Sequence, residues 1–119
     1  MALKILLEQL LLESNVRNTI IDCLKEKKLC TIRYNDENPT TDRVIEPYAY
    51  GLTNRKNYAV RAYQVDGPIG KQQNTKDGWR LFRIDKILNV QKTDQDFVPN
   101  RPLYNPNDKG MLSGPEYRI

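Results

Sequence analysis

Tyr58-Ala59-Val60-Arg61-Ala62-Tyr63-Gln64-Val65 is the stretch whose reading decides the fold of this chain. Tyr58, Val60 and Ala62 fall on one side of the alternation and Arg61 and Tyr63 on the other, the pattern of a half-buried strand. Ahead of it, Thr53–Asn57 is a short polar turn, and Val44–Leu52 is extended, with Pro47 placing that strand at an edge or a bulge. Asn35–Thr41 is a turn or loop rich in Asn, Asp, Pro and Thr, and Leu29–Tyr34 before it alternates again. Downstream, Asp66–Gly78 is a long Gly- and Lys-bearing loop, followed by strands at Trp79–Ile84 and Ile87–Gln91. Five closely spaced strands predict a small antiparallel barrel rather than a parallel sheet.

Two short helices are expected before the strands. Leu3, Leu6, Leu7 and Leu10 share one helical face over residues 3–12. Ser14-Asn15 breaks this helix and caps the next, Val16–Lys27, in which Val16, Ile20, Ile21 and Leu24 face one way. The leucine face is expected to cover the barrel's own core; the rival reading is that it pairs subunits or docks on a larger assembly. Residues 98–119 carry Pro99, Pro102, Pro106, Pro115, Gly110 and Gly114, which leave no room for a regular element. They predict an extended tail whose Leu103, Tyr104, Met111, Leu112 and Tyr117 dock on the barrel or on a partner. The division is therefore 1–14 amphipathic helix, 15–97 barrel with its leading helix, and 98–119 tail.

Composition narrows the function. With 119 residues, 39% of them hydrophobic and 29% charged, the chain supports one soluble domain with a modest core. The apolar run over residues 5–12 is interrupted by Glu8 and Gln9, too short and polar for a membrane span, and no signal-peptide cleavage site follows it. A cytoplasmic protein is expected. Cys23 and Cys30 sit in apolar surroundings and read as reduced and buried. The chain has no histidine, which removes Ser-His-Asp and Cys-His mechanisms and the usual zinc sites. Its acids lie in surface-like runs such as Asp36-Glu37 and Asp94-Gln95-Asp96, so no enzyme, metal or cofactor is expected. A net charge of +4 and a pI of 9.1 are compatible with a polyanionic partner.

In order along the chain stand the helix with Ile20, Ile21 and Leu24; Ile32-Arg33-Tyr34; Arg43-Val44-Ile45-Glu46-Pro47; Asn57-Tyr58-Ala59-Val60; Leu81-Phe82-Arg83-Ile84-Asp85-Lys86-Ile87; and Phe97. This series resembles the WYL domain family, an Sm/SH3-like barrel of bacterial and phage regulators. At the name-giving triad the chain has Asn57-Tyr58-Ala59 and keeps only the central tyrosine. Family members usually carry a winged helix-turn-helix ahead of the barrel. Here too little chain precedes Leu29 for one, so the resemblance implies a stand-alone sensor module of the kind found in phage.

The resemblance implies binding of single-stranded nucleic acid or nucleotides, with effects on transcription or defence. The residue types agree with such a partner. Arg61 and Tyr63 share one strand face, Trp79 and Arg83 another; arginine forks suit phosphate and aromatic faces stack bases. Arg43, Tyr58, Arg61, Tyr63, Trp79 and Arg83 are the candidate ligand-binding residues, with Arg33, Arg80 and the Lys71–Lys76 loop as extensions. Tyr58, Phe82, Ile84 and Ile87 read as core from their strand pattern; Tyr58 stays in the set because it is the retained triad residue. Arg83 has Asp85 or Glu46 as alternative partners.

Overall fold

A computed structural model of the chain describes residues 2–35, 41–67, 78–112 and 114–119. The alternation read at residues 58–65 holds: in β3 (Tyr58–Asp66) Val60 and Ala62 are fully buried, while Arg61 and Tyr63 lie on the opposite face. Around it run α1 (Ala2–Glu26), β1 (Lys28–Tyr34), β2 (Thr41–Leu52), β4 (Trp79–Arg83), a 3-10 turn (Ile84–Lys86), β5 (Ile87–Asp96) and β6 (Tyr117–Arg118). All pairings are antiparallel, in the order β4-β3-β2-β1-β5, with β6 added to β2.

The sheet is open and six-stranded; the expected closed five-stranded barrel is corrected. Its edges, β4 and β5, are consecutive in the chain but share no ladder, because the 3-10 turn joins them without pairing them. β2 is the axis. It pairs with β1 over Thr41–Ile45 and with β3 over Val44–Leu52, so beyond Ile45 one of its edges is open. β6 takes that edge at Ala49 and Tyr50. Pro47, which has no N–H to give a ladder, lies at a register shift between β2 and β3, as its bulge reading required.

One helix replaces the two expected. Ser14 and Asn15 lie within α1 and are helical in conformation. Their helix propensities are only about 0.5 kcal/mol below alanine's, and nothing stronger, no Pro or Gly, stands near them. The helix ends at Lys27, whose φ of 55° is left-handed and stops further turns. The boundary between a 1–14 helix and the following domain therefore falls inside one rigid element.

Burial divides along the sheet's two faces. On one, Val16, Ile20, Cys23 and Leu24 of α1 cover Ile32, Ile45, Val60, Ala62, Phe82 and Ile87. Phe82, Ile84 and Ile87 are core, as read; Tyr58 is corrected, being 47% exposed. Cys23 and Cys30 are free and buried here, as expected. On the other face Leu29, Tyr48, Trp79 and Phe97 form a second cluster, joined by Tyr63, Tyr104 and Ile119. The tail is thus a third layer, and β6 corrects the expectation that it holds no regular element. The leucine face of α1 does not cover the core: Leu3, Leu6, Leu7 and Leu10 are 52–68% exposed. No helix among the described residues is long and apolar enough to cross a membrane.

Candidate functional site

The six expected ligand residues do not form one surface. Arg61, Tyr63 and Trp79 do come together, because Tyr63 pairs with Trp79 and Arg61 with Leu81 across β3 and β4. The tail, however, occupies the face they make. Arg61 Nε donates to Asp108 Oδ2 at 2.7 Å, and Trp79 Nε1 donates to the carbonyl of Pro102 at 2.7 Å. Trp79 stacks on Tyr104 with ring centroids 5.8 Å apart, and the Arg101 guanidinium lies 4.3 Å from the Tyr63 ring. Arginine and aromatic residues in this pattern suit an internal tail as well as a ligand, since both offer carboxylates, carbonyls and rings.

The other three scatter. Arg43 is buried on the α1 side of the sheet, its guanidinium 5.3 Å from the Tyr34 ring and 5.6 Å from the Phe82 ring. Arg83 grips Asp85 with both arms of its fork, Nε to Oδ1 at 2.9 Å and Nη2 to Oδ2 at 2.6 Å, the carboxylate pairing named as its alternative. Of the extensions, Arg80 is buried and donates to the carbonyl of Trp79, and Arg33 reaches Asp42 at 3.4 Å. The Lys71–Lys76 loop lies outside the described residues.

Tyr58 stands at a separate opening. A cleft of about 430 Å³ runs between the middle of α1 and the β2–β3 turn, lined by Leu10, Glu13, Ser14, Arg17, Tyr50, Lys56, Asn57, Tyr58, Ile84 and Asp85. Tyr58 and Tyr50 stack with centroids 5.7 Å apart and planes 9° from parallel, and Tyr58 is 47% exposed. Burial pushes the Tyr50 hydroxyl up to about 12, so it remains a neutral donor. With Arg83 counted behind Asp85, three cations (Arg17, Lys56, Arg83) meet two carboxylates (Glu13, Asp85). The balance at this cleft is slightly positive, and one strong donor is held in reserve by Asp85.

Sequence reasoning missed Arg17 and Lys56. Arg17 continues the leucine stripe one turn beyond Ser14 and two beyond Leu10, a signal that is legible once the helix is read through residues 14 and 15. Lys56 sits in a turn closed by Lys56 N–H to the Thr53 carbonyl at 2.8 Å, and holds a left-handed φ of 64°. That turn is tied to the tail: Asn54 N–H donates to the Gly110 carbonyl at 3.0 Å, and Thr53 bridges to Met111. Anchorage of the tail therefore positions Lys56, Asn57 and Tyr58.

Asp108 is the polar hinge of that anchorage. Burial alone raises a carboxyl, but Arg61 and the Gly110 N–H outweigh it and hold Asp108 below its usual 3.8. A carboxylate lowered on folding stabilises fully above 3.8, and the contribution is lost as pH falls through the folded value. Acid titration is expected to loosen the tail below that pH, seen as a shift in emission of Trp79, the single tryptophan. Asp108→Asn is expected to flatten that transition; an identical titration in the variant counts against Asp108 as its source.

Among the described residues no group of three or more Cys, Asp or Glu is placed to hold a metal. Residues 15–92 match the WYL domain as a family. Among solved structures, the proteasome accessory factor B/C (PafBC) of Arthrobacter aurescens is similar, with a TM-score of 0.57 and 17% identity. The likeness covers 73% of this chain and 12% of that one, and at this identity it speaks for the fold alone. No curated protein matches the chain. Of the three positions at the family triad, Asn57 and Tyr58 line the cleft and Ala59 is buried.

Proposed function

The chain belongs to the WYL domain family, and from that premise we propose that it is a ligand-sensing regulatory module that binds a phosphate-bearing ligand in the cleft beside α1. The ligand class is single-stranded nucleic acid or a nucleotide, and the role is binding rather than catalysis, in the cytoplasm. The observation that carries this reading is the exposed Tyr58 ring, held by its stack on Tyr50 at the mouth of a cleft flanked by Arg17 and Lys56. A base stacks on Tyr58 while the two cations take phosphate, and the Tyr50 hydroxyl and the Asn57 amide are neutral groups for sugar or base edges. Arg83 joins when a phosphate competes with Asp85 for its fork, which couples ligand binding to the 3-10 turn between the edge strands. Arg61, Tyr63 and Trp79 take no part, because the tail holds them.

Fluorescence anisotropy with labelled single-stranded DNA and RNA, and competition by mononucleotides, tests the reading. Two phosphate-contacting cations give a plot of log K against log salt with a slope of about −1.4, and Lys56→Ala reduces it to about −0.7. Tyr58→Ala weakens binding by roughly tenfold or more, from a stacking contribution of about 1–3 kcal/mol. Absence of binding at low salt, or binding unchanged in both variants, overturns the reading.

A further inference from the structure

The first half of α1 extends from the body of the domain with its apolar side chains uncovered. Leu3, Leu6, Leu7, Leu10 and Leu11 are between 52 and 68% exposed. The first four recur at i, i+3, i+4 and i+7 and form one stripe. At 3.6 residues per turn, the centre of that stripe lies about 100° around the helix from the stripe of Val16, Ile20, Cys23 and Leu24 that packs on the sheet. The leucines are therefore not an overhang of the core seam; continuing the sheet under the helix leaves them uncovered. Lys4 and Glu13 flank the stripe and no charge falls within it.

The exposed surface of the four stripe leucines is roughly 400 Å² per chain, so a symmetric pair buries at most about 800 Å² of leucine surface, the range of a weak, concentration-dependent pairing. An apolar patch of this size is about the largest that a typical monomer exposes, and such patches often mark a contact site. A stripe without charge offers nothing to a charged partner, whereas a second copy matches it leucine for leucine, and two-fold pairing is the commonest assembly. We infer that residues 3–14 of α1 are a homotypic docking arm through which two copies of this chain pair antiparallel. Leu7 of each copy then meets the partner's Leu10, and Leu3 meets the partner's Ser14. The first buried residue of α1 is Val16, so antiparallel pairing sets the two domain bodies at opposite ends of the helix pair. The pairing goes beyond ligand binding; it shares Leu10 and Ser14 with the cleft, whereas Leu6 and Leu7, the positions substituted below, do not line it.

Sedimentation equilibrium of the full chain over roughly 1–500 µM tests the arm. The mass is expected to rise with concentration from 13.9 kDa to twice that value. Leu6→Glu/Leu7→Glu is expected to stay monomeric throughout, with the thermal melt of dilute, unpaired wild type because the core seam is untouched. Leu6→Ala/Leu7→Ala, which keeps helix propensity, is expected to weaken pairing at least about tenfold. Ile5→Glu replaces a side chain that is 67% exposed but about 150° from the stripe centre, and is expected to leave pairing intact. A wild type monomeric at every concentration, a dimer that survives both Leu6/Leu7 variants, or equal loss in Ile5→Glu overturns the proposal.

Discussion

Trp79→Ala is expected to be the most damaging single substitution on the tail side of the sheet, lowering stability by about 3–5 kcal/mol. Trp79 is 8% exposed and is the hub of its cluster, with ring centroids 4.8 Å from Tyr48, 5.5 Å from Tyr63 and 5.8 Å from Tyr104. Its removal leaves a cavity that three rings cannot collapse to fill, because Tyr48 is fixed on β2 and Tyr63 on β3. It also frees the Pro102 carbonyl and with it the start of the tail. Trp79→Phe separates the two effects: it keeps most of the packing, loses the indole hydrogen bond, and is expected to cost about 1 kcal/mol. Urea unfolding followed by far-UV circular dichroism measures both. If Trp79→Ala costs under about 1 kcal/mol yet abolishes ligand binding, Trp79 belongs to a ligand face and the tail reading fails.

Arg101→Ala follows, with an expected loss of about 2–4 kcal/mol. Arg101 donates from Nε and Nη2 to the two oxygens of Glu46, both at 3.0 Å, and the Glu46 side chain is 6% exposed. Without the guanidinium a carboxylate is stranded in the second cluster, where the Tyr48 hydroxyl donates to it from 3.3 Å. One neutral donor does not replace a charged fork. The loss of the 4.3 Å contact with the Tyr63 ring adds to the cost. Because the penalty lies mainly in the orphaned acid, Arg101→Met/Glu46→Met is expected to recover at least half of it. A double variant no more stable than Arg101→Ala would show that the pair contributes through Arg101 packing alone. Trp79 emission reports both variants, since the tail lies directly over the indole.

These two substitutions mark where the sequence was misread. The alternation of residues 58–65 correctly separated Val60 and Ala62 from Arg61 and Tyr63, because strand period is a property of the backbone and needs no partner. It assigned Arg61, Tyr63 and Trp79 to exposed faces but left open whether solvent, ligand or chain met them. A proline- and glycine-rich tail has no periodicity from which docking can be read, and its contacts with the sheet span from 23 positions in sequence, at Trp79 and Pro102, to 71, at Tyr48 and Ile119. Tyr58 was placed in the site by the family triad and in the core by its strand pattern. The strand begins at Tyr58 itself, so its ring overhangs the packed layer and lies exposed at the mouth of the cleft.

What the sequence by itself determined is therefore much of the local structure: the presence of five strands between Leu29 and Gln91, the bulge at Pro47, helix on either side of Ser14-Asn15 though not its continuity, the buried cysteines, and the family. These follow from propensity and period, which act over a few residues at a time. Only the tertiary structure decided that the sheet stays open, that β6 pairs with the exposed edge of β2, that the tail packs on Tyr63 and Trp79 and ties down Arg61, and that a cleft forms at Arg17, Lys56 and Tyr58. Each of those depends on segments far apart in the chain competing for the same edge or face, and the competition is settled by which one buries more apolar surface and leaves fewer polar groups unpaired.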